Sequence, residues 1–298
     1  MKIIEIDVNN IELKENRINL VLGYFDGVHI GHQQMINKAI EEGETGIMTF
    51  DISPSFVLGK SIKYSHITSL FDKANIFKHM GVKYLYILRV SKPLLNLSKD
   101  EFMDKILAKI NPKKIFIGKD YHFGKDGAGD AIYLSTRFNV HVEELLERSD
   151  TKVSSRAIRE LISLGEMEEV NKLLGRPYQV TGLVVEGFHN GEKIGFPTAN
   201  LELSYPYVLP KIGVYIGYAK ILNSRYKAII SMSTHPTIQE LNDPIIEVHL
   251  INFRDNLYGK EIEVQLVRYI RDIKKYDSAE ELKAQLTRDC ELAKNELM

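Results

Sequence analysis

The fold of the first half of the chain is decided at Gly23-Tyr24-Phe25-Asp26-Gly27-Val28-His29-Ile30-Gly31-His32. This stretch, called the histidine turn below, follows the short apolar run 20–22 and precedes a helical pattern over residues 33–42. A strand, a glycine-rich turn and a helix in this order place backbone N–H groups and a helix N-terminus against a phosphate. The sequence therefore predicts a phosphate-binding corner that presents two histidines.

Apolar, β-rich runs alternate with helical patterns through the first half of the chain. The predicted strands are residues 19–23, 46–50, 84–88, 114–118 and 140–144, and the predicted helices are residues 33–42, 70–80, 99–110 and 128–138. This alternation indicates a parallel sheet covered by helices on both faces. Ligands bind such sheets beyond the carboxyl ends of the strands. The histidine turn and a second loop, residues 118–124, are predicted to lie there.

Helix ends can be read at several places. Ser98 with Glu101 forms a capping box at the start of the third helix, which stops before Asn111 because that residue precedes a proline. A second capping box, Ser278 with Glu281, predicts a terminal helix that runs to about residue 292.

The pattern changes after residue 174. Residues 154–159 start the first of two short helices, and its first turn can meet an anion. Gly175-Arg176-Pro177 then breaks the pattern. Five predicted strands follow with no helix between them, at residues 178–186, 213–221, 225–231, 245–252 and 261–268. They predict a compact antiparallel barrel, so the expected domains are residues 1–175 and 176–298.

Composition excludes several classes of protein. The 298 residues are 44% hydrophobic and 27% charged, and the net charge is −1, so nothing in the whole chain favours nucleic-acid binding. The single cysteine, Cys290, cannot form an internal disulfide and fits a reducing compartment. The chain has neither a secretory leader pattern nor an 18-residue apolar stretch. The sequence predicts a cytoplasmic protein that binds neither nucleic acid nor membrane.

Four signatures occur in order along the chain. They are Phe25-Asp26-Gly27-Val28-His29-Ile30-Gly31-His32, Gly118 to Gly124 with Gly127-Ala128-Gly129-Asp130, Val153-Ser154-Ser155 with Ile158-Arg159, and Gly195-Phe196-Pro197-Thr198-Ala199-Asn200. Glu247-Val248-His249-Leu250 and Leu257-Tyr258-Gly259 follow the last of them. Together these residues resemble the bifunctional bacterial riboflavin kinase/FAD synthetase family over residues 20–294.

The resemblance implies an α/β nucleotidyltransferase domain of Rossmann-like type, joined to a small riboflavin kinase barrel with a C-terminal helix. The barrel would phosphorylate riboflavin with ATP to give FMN. The first domain would transfer AMP from ATP to FMN, giving FAD and pyrophosphate. Both reactions would need a divalent ion, normally Mg²⁺. Protein partners are not indicated.

The resemblance assigns roles at the first site. His29 and His32 would stabilise the transferring phosphates, since imidazoles can donate to phosphate oxygens. The expected ATP and phosphate contacts are Gly23, Phe25, Asp26, Gly27, Gly31, Ser155 and Arg159, and the expected nucleotide and flavin contacts are Asp120 and Phe123. Asp26 could instead cap a turn, and Arg159 could be a solvated helix residue.

At the second site the resemblance assigns Thr198 and Asn200 to metal and phosphate, Glu247 to the base that takes the proton of the ribityl hydroxyl, and Arg271 to the flavin. Glu247 could also be an outward charge on an alternating strand. Departures from the family pattern at Glu186, Glu192, Ser231, Ser233 and Ile273 leave a second reading open. In that reading the protein is an FMN adenylyltransferase whose barrel is a non-catalytic flavin-binding or regulatory module.

Two further departures lie in the first domain. Ser53 stands where the family usually has histidine, and Arg156-Ala157 replace the usual middle pair of the third signature. A different acceptor, such as nicotinate mononucleotide or phosphopantetheine, would share only the histidine turn and would leave the barrel unexplained.

Overall fold

A computed structural model describes residues 1–9, 11, 17–57, 59, 66–144, 146–148, 151–187, 191, 194–222, 224–234 and 244–297. The chain divides into two compact units. The first comprises Met1–Lys63 and Thr68–Ser155, and the second comprises Tyr64–Ile67 and Arg156–Met298. Among the described residues, none of the helices combines the length and the apolar character needed to cross a membrane.

The first unit is built on a six-stranded parallel sheet with strand order β1-β4-β3-β2-β5-β6. The strands are β1 (Lys2–Ile6), β2 (Asn19–Leu22), β3 (Thr45–Phe50), β4 (Tyr84–Leu88), β5 (Lys114–Gly118) and β6 (Val140–Glu143). Five of them confirm the predicted strands. The edge strand β1 was missed because only Ile6 among its residues is buried, so its apolar pattern is weak.

Helices connect these strands. They are α1 (Ile30–Glu41), α2 (Pro54–Val57), α3 (Leu70–Met80), α4 (Lys92–Leu95), α5 (Lys99–Phe102), α6 (Ala108–Ile110) and α7 (Ala131–Ser135). The predicted helix 99–110 contains a π-helical turn, Met103–Leu107, between α5 and α6. Its capping box at Ser98 is confirmed, and it ends at Asn111 in the left-handed region (φ 53°). The predicted helix 128–138 was too long at both ends, since the Asp130 side chain caps α7 at Ala131 and the helix ends at Ser135.

Hydrophobic side chains cover both faces of the sheet. Leu20 and Leu22 of β2 pack in one buried cluster with Ile115 of β5, while Val21 packs in another with Phe116. Successive strand residues point to opposite faces, so β2 contributes to both clusters. β2 therefore lies in the interior of the sheet, between β3 and β5. The histidine turn and the 118–124 loop follow neighbouring parallel strands, as predicted.

The second unit is a closed antiparallel barrel with strand order β10-β13-β12-β11-β14-β9. The strands are β9 (Tyr178–Val185), β10 (Ala199–Leu203), β11 (Gly213–Ile221), β12 (Ser224–Thr234), β13 (Pro244–Leu250) and β14 (Glu261–Arg271). The unit also contains α9 (Met167–Leu174), most of α8 (Ser155–Leu164) and the terminal helix α10 (Ala279–Glu296). A two-stranded ribbon, β7 (Glu147–Arg148) with β8 (Thr151–Lys152), belongs to the first unit.

Two details of the second unit differ from the prediction. β10 was not predicted as a strand, because its residues directly follow Pro197 and were interpreted as part of a signature turn. The Ser278 side chain accepts from the Glu281 N–H (3.2 Å), but the Glu281 carboxylate accepts from Asp277 rather than from Ser278. Only one half of the predicted capping box is therefore formed, and α10 runs four residues beyond the predicted end.

Candidate active sites

The histidine turn leaves β2 in a strained conformation. Phe25 (φ 56°), Gly27 (φ 82°) and Val28 (φ 41°) all lie in the left-handed region. A β-branched valine adopts this region only at a conformational cost, and such strain persists where the surroundings over-determine it. A Cβ at Gly23 would lie 2.7 Å from the Phe25 ring, so that position accepts only glycine without rearrangement.

Hydrogen bonds from outside the turn hold this conformation. The Thr68 N–H donates to the Asp26 carboxylate (3.2 Å), and the Gly27 N–H donates to the Thr68 hydroxyl (3.0 Å). The Ser155 hydroxyl donates to the Asp26 carbonyl (2.8 Å). Asp26 is 2% exposed. The structure therefore shows Asp26 in a turn-bracing role, while its contact with ATP stays a prediction.

His29 caps α1 with its side chain. Its Nδ1 accepts the backbone N–H of His32 at 3.3 Å. A ring nitrogen that accepts cannot carry the proton, so the neutral His29 ring holds its proton on Nε2. The cap thus fixes the tautomer and places the proton on Nε2. Gly31 is the second residue of the same helix.

The ring of His32 stacks on that of His29, with centroids 3.6 Å apart and planes 16° apart. The edge of the Phe25 ring packs against His32 at 5.2 Å. Burial, followed by the charges of His29 and Lys73, lowers the pKa of His32 well below its usual value. Within the described part of the chain, the shielded Nδ1 of His32 has no hydrogen-bond partner. The His32 ring is therefore a neutral imidazole when the histidine pair approaches an anionic oxygen.

Two residues that brace the turn were not identified from the sequence. Thr68 and Lys73 lie on either side of the first turn of α3, and Lys73 donates to the Tyr24 carbonyl (2.7 Å). The available signal was the capping box of Ser69 and Asp72 directly after Thr68. Lys73 lies four positions before the buried Phe77, which places this lysine on the inward face of the helix.

The two predicted ligand contacts of the 118–124 loop lie in different environments. Asp120 is exposed. Phe123 is 5% exposed, pairs through its backbone with Gly129, and packs against Phe102 at 5.5 Å. Its ring belongs to the core of the first unit, and its flavin contact stays a prediction. Arg159 lies in α8, half-buried, in the second unit.

The second site lies on the outer surface of the barrel. Asn200 of β10 lies directly opposite Glu247 of β13, and Ser231 of β12 lies opposite Glu247 on its other side. Ala199 and Leu201 are buried in the barrel, so the alternation of β10 turns Asn200 outward. The predicted phosphate ligand and the predicted base are therefore cross-strand neighbours.

Glu247 is partly buried, and this burial raises the pKa of its carboxyl group. A general base works best when its pKa approaches the working pH. The shift therefore favours the predicted base role over that of a solvated surface charge, although the role itself stays a prediction.

A cleft of about 420 Å³ opens beside Thr198. Its walls come from the signature Pro197-Thr198-Ala199 and from the segment after β13, including Phe253, Arg254 and Tyr258. His249 Nδ1 lies 2.8 Å from the Pro197 carbonyl oxygen, and it must carry a proton to donate to that oxygen. This bond ties the signature to β13 immediately before Thr198.

Arg271, the predicted flavin contact, forms an ion pair within the protein. Its guanidinium donates to both carboxylate oxygens of Asp289 on α10, the shorter bond being 2.7 Å. Its flavin contact stays a prediction. Of the residues that depart from the family pattern, Glu186 is exposed and Ile273 is 45% exposed, whereas Glu192 lies outside the described residues.

The fold and the two sites define a two-domain transferase. One domain presents a stacked histidine pair at the start of α1, and the other carries the partly buried Glu247 opposite Asn200. Two family models match the chain, one for FAD synthetase over residues 11–157 and one for riboflavin kinase over residues 174–297. The chain belongs to the bifunctional riboflavin kinase/FMN adenylyltransferase family and carries both of its domains.

Individual relatives agree with this assignment. A bifunctional riboflavin kinase/FMN adenylyltransferase from Listeria monocytogenes is 36% identical over 91% of this chain and 89% of the relative. The Bacillus subtilis protein of the same name is 35% identical over 97% of this chain and 96% of the relative. The reading with a degenerate barrel is not favoured.

A solved structure shows the same fold under a different name. A Streptococcus pneumoniae protein named a macrolide-efflux protein superposes with a TM-score of 0.91 at 32% identity, covering 99% of both chains. That name does not agree with the two family models or with the relatives. The likeness supports the fold, and the family assignment depends on the sequence matches.

Proposed function

We propose that this enzyme makes FAD from riboflavin in two ATP-dependent steps, each carried out by one of the two sites described above. The barrel, assigned to residues 176–298, phosphorylates riboflavin to FMN. The parallel-sheet domain, assigned to residues 1–175, transfers AMP to FMN. The observation that carries the proposal is that one chain holds both the stacked pair His29 and His32 and the cross-strand pair Asn200 and Glu247.

Adenylyl transfer joins two anions. An oxygen of the FMN phosphate attacks the α-phosphorus of ATP, a P–O bond forms, and the bond to the bridging oxygen breaks as pyrophosphate leaves. Positioning and charge stabilisation supply most of the catalysis in such a reaction. His29 donates from Nε2, and His32 contributes a neutral ring beside it. The roles proposed for Ser155 and Arg159 are contacts with the β- and γ-phosphates.

In the kinase step the ribityl hydroxyl attacks the γ-phosphorus of ATP, its proton passes to Glu247, and ADP leaves. Thr198 and Asn200 contact the phosphates. The cleft beside Thr198 has the size and the mixed apolar and polar lining expected of a nucleotide site. Its lining includes Thr198 and Ala199, which directly precede Asn200 in the chain.

The family implies a divalent ion, normally Mg²⁺. The Thr198 hydroxyl and the Asn200 amide oxygen are hard donors of the type that Mg²⁺ prefers. The described residues contain no group of three or more His, Cys, Asp or Glu side chains placed to hold a metal. Mg²⁺ commonly uses one or two protein ligands together with substrate phosphates, which fits this donor set. When bound, it would neutralise charge on the ATP phosphates.

The proposed setting is the cytoplasm, where ATP is available, with riboflavin, FMN and ATP as the small-molecule partners. Neither nucleic acid nor membrane enters the proposal.

Two product assays test the function. Purified protein with riboflavin, ATP and Mg²⁺ is expected to form FMN and then FAD, and with FMN, ATP and Mg²⁺ to form FAD, both followed by chromatography. FAD formation without FMN formation from riboflavin would return the barrel to a non-catalytic role. If neither FMN nor FAD forms, the whole proposal is contradicted.

A further inference from the structure

Lys73 of α3 is a buried cation that the reaction described above does not use. It is 2% exposed, although lysines are almost never fully buried unless they are paired. Taking a charge out of water costs several kcal/mol in typical proteins. The groups that Lys73 contacts therefore indicate its role.

The ammonium group is attached to the histidine turn. Its Nζ donates to the carbonyl of Tyr24 at 2.7 Å and lies 3.7 Å from the centre of the Tyr24 ring. The Thr49 hydroxyl donates to the same carbonyl at 3.1 Å. Tyr24 is the second residue of the turn, directly before the strained Phe25. Lys73 thus fixes the point at which the chain leaves β2 and enters the turn.

The acidic neighbour of Lys73 caps the same helix. The Asp72 carboxylate accepts from the Ser69 N–H (2.9 Å) and the Ser69 hydroxyl accepts from the Asp72 N–H (3.0 Å), which forms the capping box of α3. This cap holds the first helical turn, from which Thr68 on one side and Lys73 on the other reach the histidine turn. The start of α3 is therefore built as a brace for the histidine turn.

The charge of Lys73 is also felt at His32. The charged and titratable groups that act on the His32 ring are His29, at the start of α1, and Lys73, on α3. Both act in the same direction as burial and disfavour the imidazolium form. Asp26 is the acidic residue of the turn, and its carboxylate accepts from Thr68.

We propose that Lys73 is a positioning residue for adenylyl transfer, which holds the histidine turn through the Tyr24 carbonyl and places a fixed positive charge behind the histidine pair. It acts through Tyr24 and His32 and touches no substrate. The inference rests on the proposed function of the first site. It adds a residue from α3, an element outside all four sequence signatures.

Lys73→Met tests the proposal, since methionine keeps much of the side-chain length and removes the charge. Its matched control is Lys78→Met, an exposed lysine on the same helix. We expect Lys73→Met to lower kcat for FAD formation from FMN about 10- to 100-fold, because small displacements of a catalytic group have effects of this size. FMN formation from riboflavin in the same preparation is expected to stay within about twofold, which confirms folding of the second unit. Lys78→Met should leave both rates unchanged.

The pH profile separates positioning from general destabilisation. The charge of Lys73 lowers the pKa of His32, so its removal raises that pKa toward the usual value. We expect the acid limb of FAD formation to move to higher pH in Lys73→Met and to stay in place in Lys73→Arg, which keeps the charge. An unchanged kcat together with an unchanged profile in Lys73→Met would overturn the proposal.

A measurement on the unaltered protein covers the case in which the variant does not fold. NMR of labelled histidine is expected to show His32 titrating well below the usual midpoint of the imidazole. Titration of His32 at its ordinary pKa would contradict the charge role of Lys73. If the unaltered protein makes no FAD at all, the proposed function fails, whereas a His32 pKa that rises toward its usual value in Lys73→Met would still show the charge effect of Lys73.

Discussion

The proposed roles of His29 divide between its two ring nitrogens. Nδ1 caps α1 by accepting the His32 N–H, and the tautomer that this requires carries its proton on Nε2, the proposed donor to a phosphate oxygen. Histidine is an uncommon N-cap, because Asn, Asp, Ser and Thr are the usual choices. Its presence there fits the proposed donor role, because those shorter side chains reach less far from the backbone.

His29→Asn and His29→Ala should therefore separate the two roles. Both are expected to lower the rate of FAD formation by about 10²- to 10³-fold, the usual loss when one donor to a developing charge is removed. Only His29→Ala should also lower the free energy of unfolding, by about 1 kcal/mol, because asparagine can still cap the helix. Steady-state kinetics and chemical denaturation measure the two effects. An asparagine variant with full activity would contradict the donor role.

Glu247 gives the second prediction at the scale of a residue. Its carboxyl pKa is raised by burial, and the base must be ionised to accept a proton. Riboflavin phosphorylation should therefore fall as the pH drops through this raised pKa, at a higher pH than an exposed glutamate would give. Glu247→Gln should lower the rate by about 10²- to 10⁴-fold and abolish this acid limb. Glu202→Gln, on the exposed side of β10, is the control and should change neither.

At the scale of elements, α10 is fastened to the barrel by both apolar and ionic contacts. Cys290 and Ala293 are buried against β11 and β12 residues. Arg271, the last residue of β14, pairs with Asp289 of α10, whose side chain is 4% exposed. A second ion pair between the same two elements, Arg268 with Glu296, is more than 30% exposed on both sides. The two pairs provide a matched comparison.

Arg271→Met should destabilise the protein more than Arg268→Met. Loss of Arg271 leaves a buried carboxylate without its guanidinium, which typically costs about 3–5 kcal/mol, whereas loss of an exposed pair costs at most about 1 kcal/mol. Chemical denaturation of both variants measures the difference, and equal losses would contradict the structural role of the Arg271 pair. A flavin contact by Arg271 would appear separately, as weaker riboflavin binding in a form that remains folded.

The strands and helices differ in how well the sequence predicts them. Strands β2 to β5 carry continuous apolar runs because both faces of the sheet are buried, so their positions could be predicted. β1 is an exposed edge strand, and β10 follows a proline within a signature, so neither shows a clear period. The start of α7 depends on one hydrogen bond, from the Tyr133 N–H to the Asp130 side chain, which the sequence pattern does not show.

The sites show a similar division. The turn that carries His29 and His32 could be predicted because its residues are contiguous. Thr68 and Lys73 could not, since they contact the turn across more than 40 residues of sequence. The pairing of Asn200 with Glu247 likewise depends on strand register, which becomes visible only in the folded barrel.

At the scale of the whole molecule, each compact unit carries the residues proposed for one reaction, with Arg159 as the exception. The histidine turn and Ser155 lie in the first unit, and Thr198, Asn200 and Glu247 lie in the second. FMN is both the product of one site and the substrate of the other. Since the two reactions are proposed to use different residues, damage to one site should leave the other reaction intact.

Mixing two inactive variants tests this independence. His32→Ala is expected to convert riboflavin to FMN without forming FAD, and Glu247→Gln to convert added FMN to FAD without phosphorylating riboflavin. Neither alone should make FAD from riboflavin, but an equimolar mixture should, after a lag during which free FMN accumulates to the level that the second enzyme needs. Chromatography of the products over time measures the lag, and added FMN should remove it. A mixture that makes FMN but no FAD, although Glu247→Gln accepts added FMN at that concentration, would show that the two sites do not share FMN through solution.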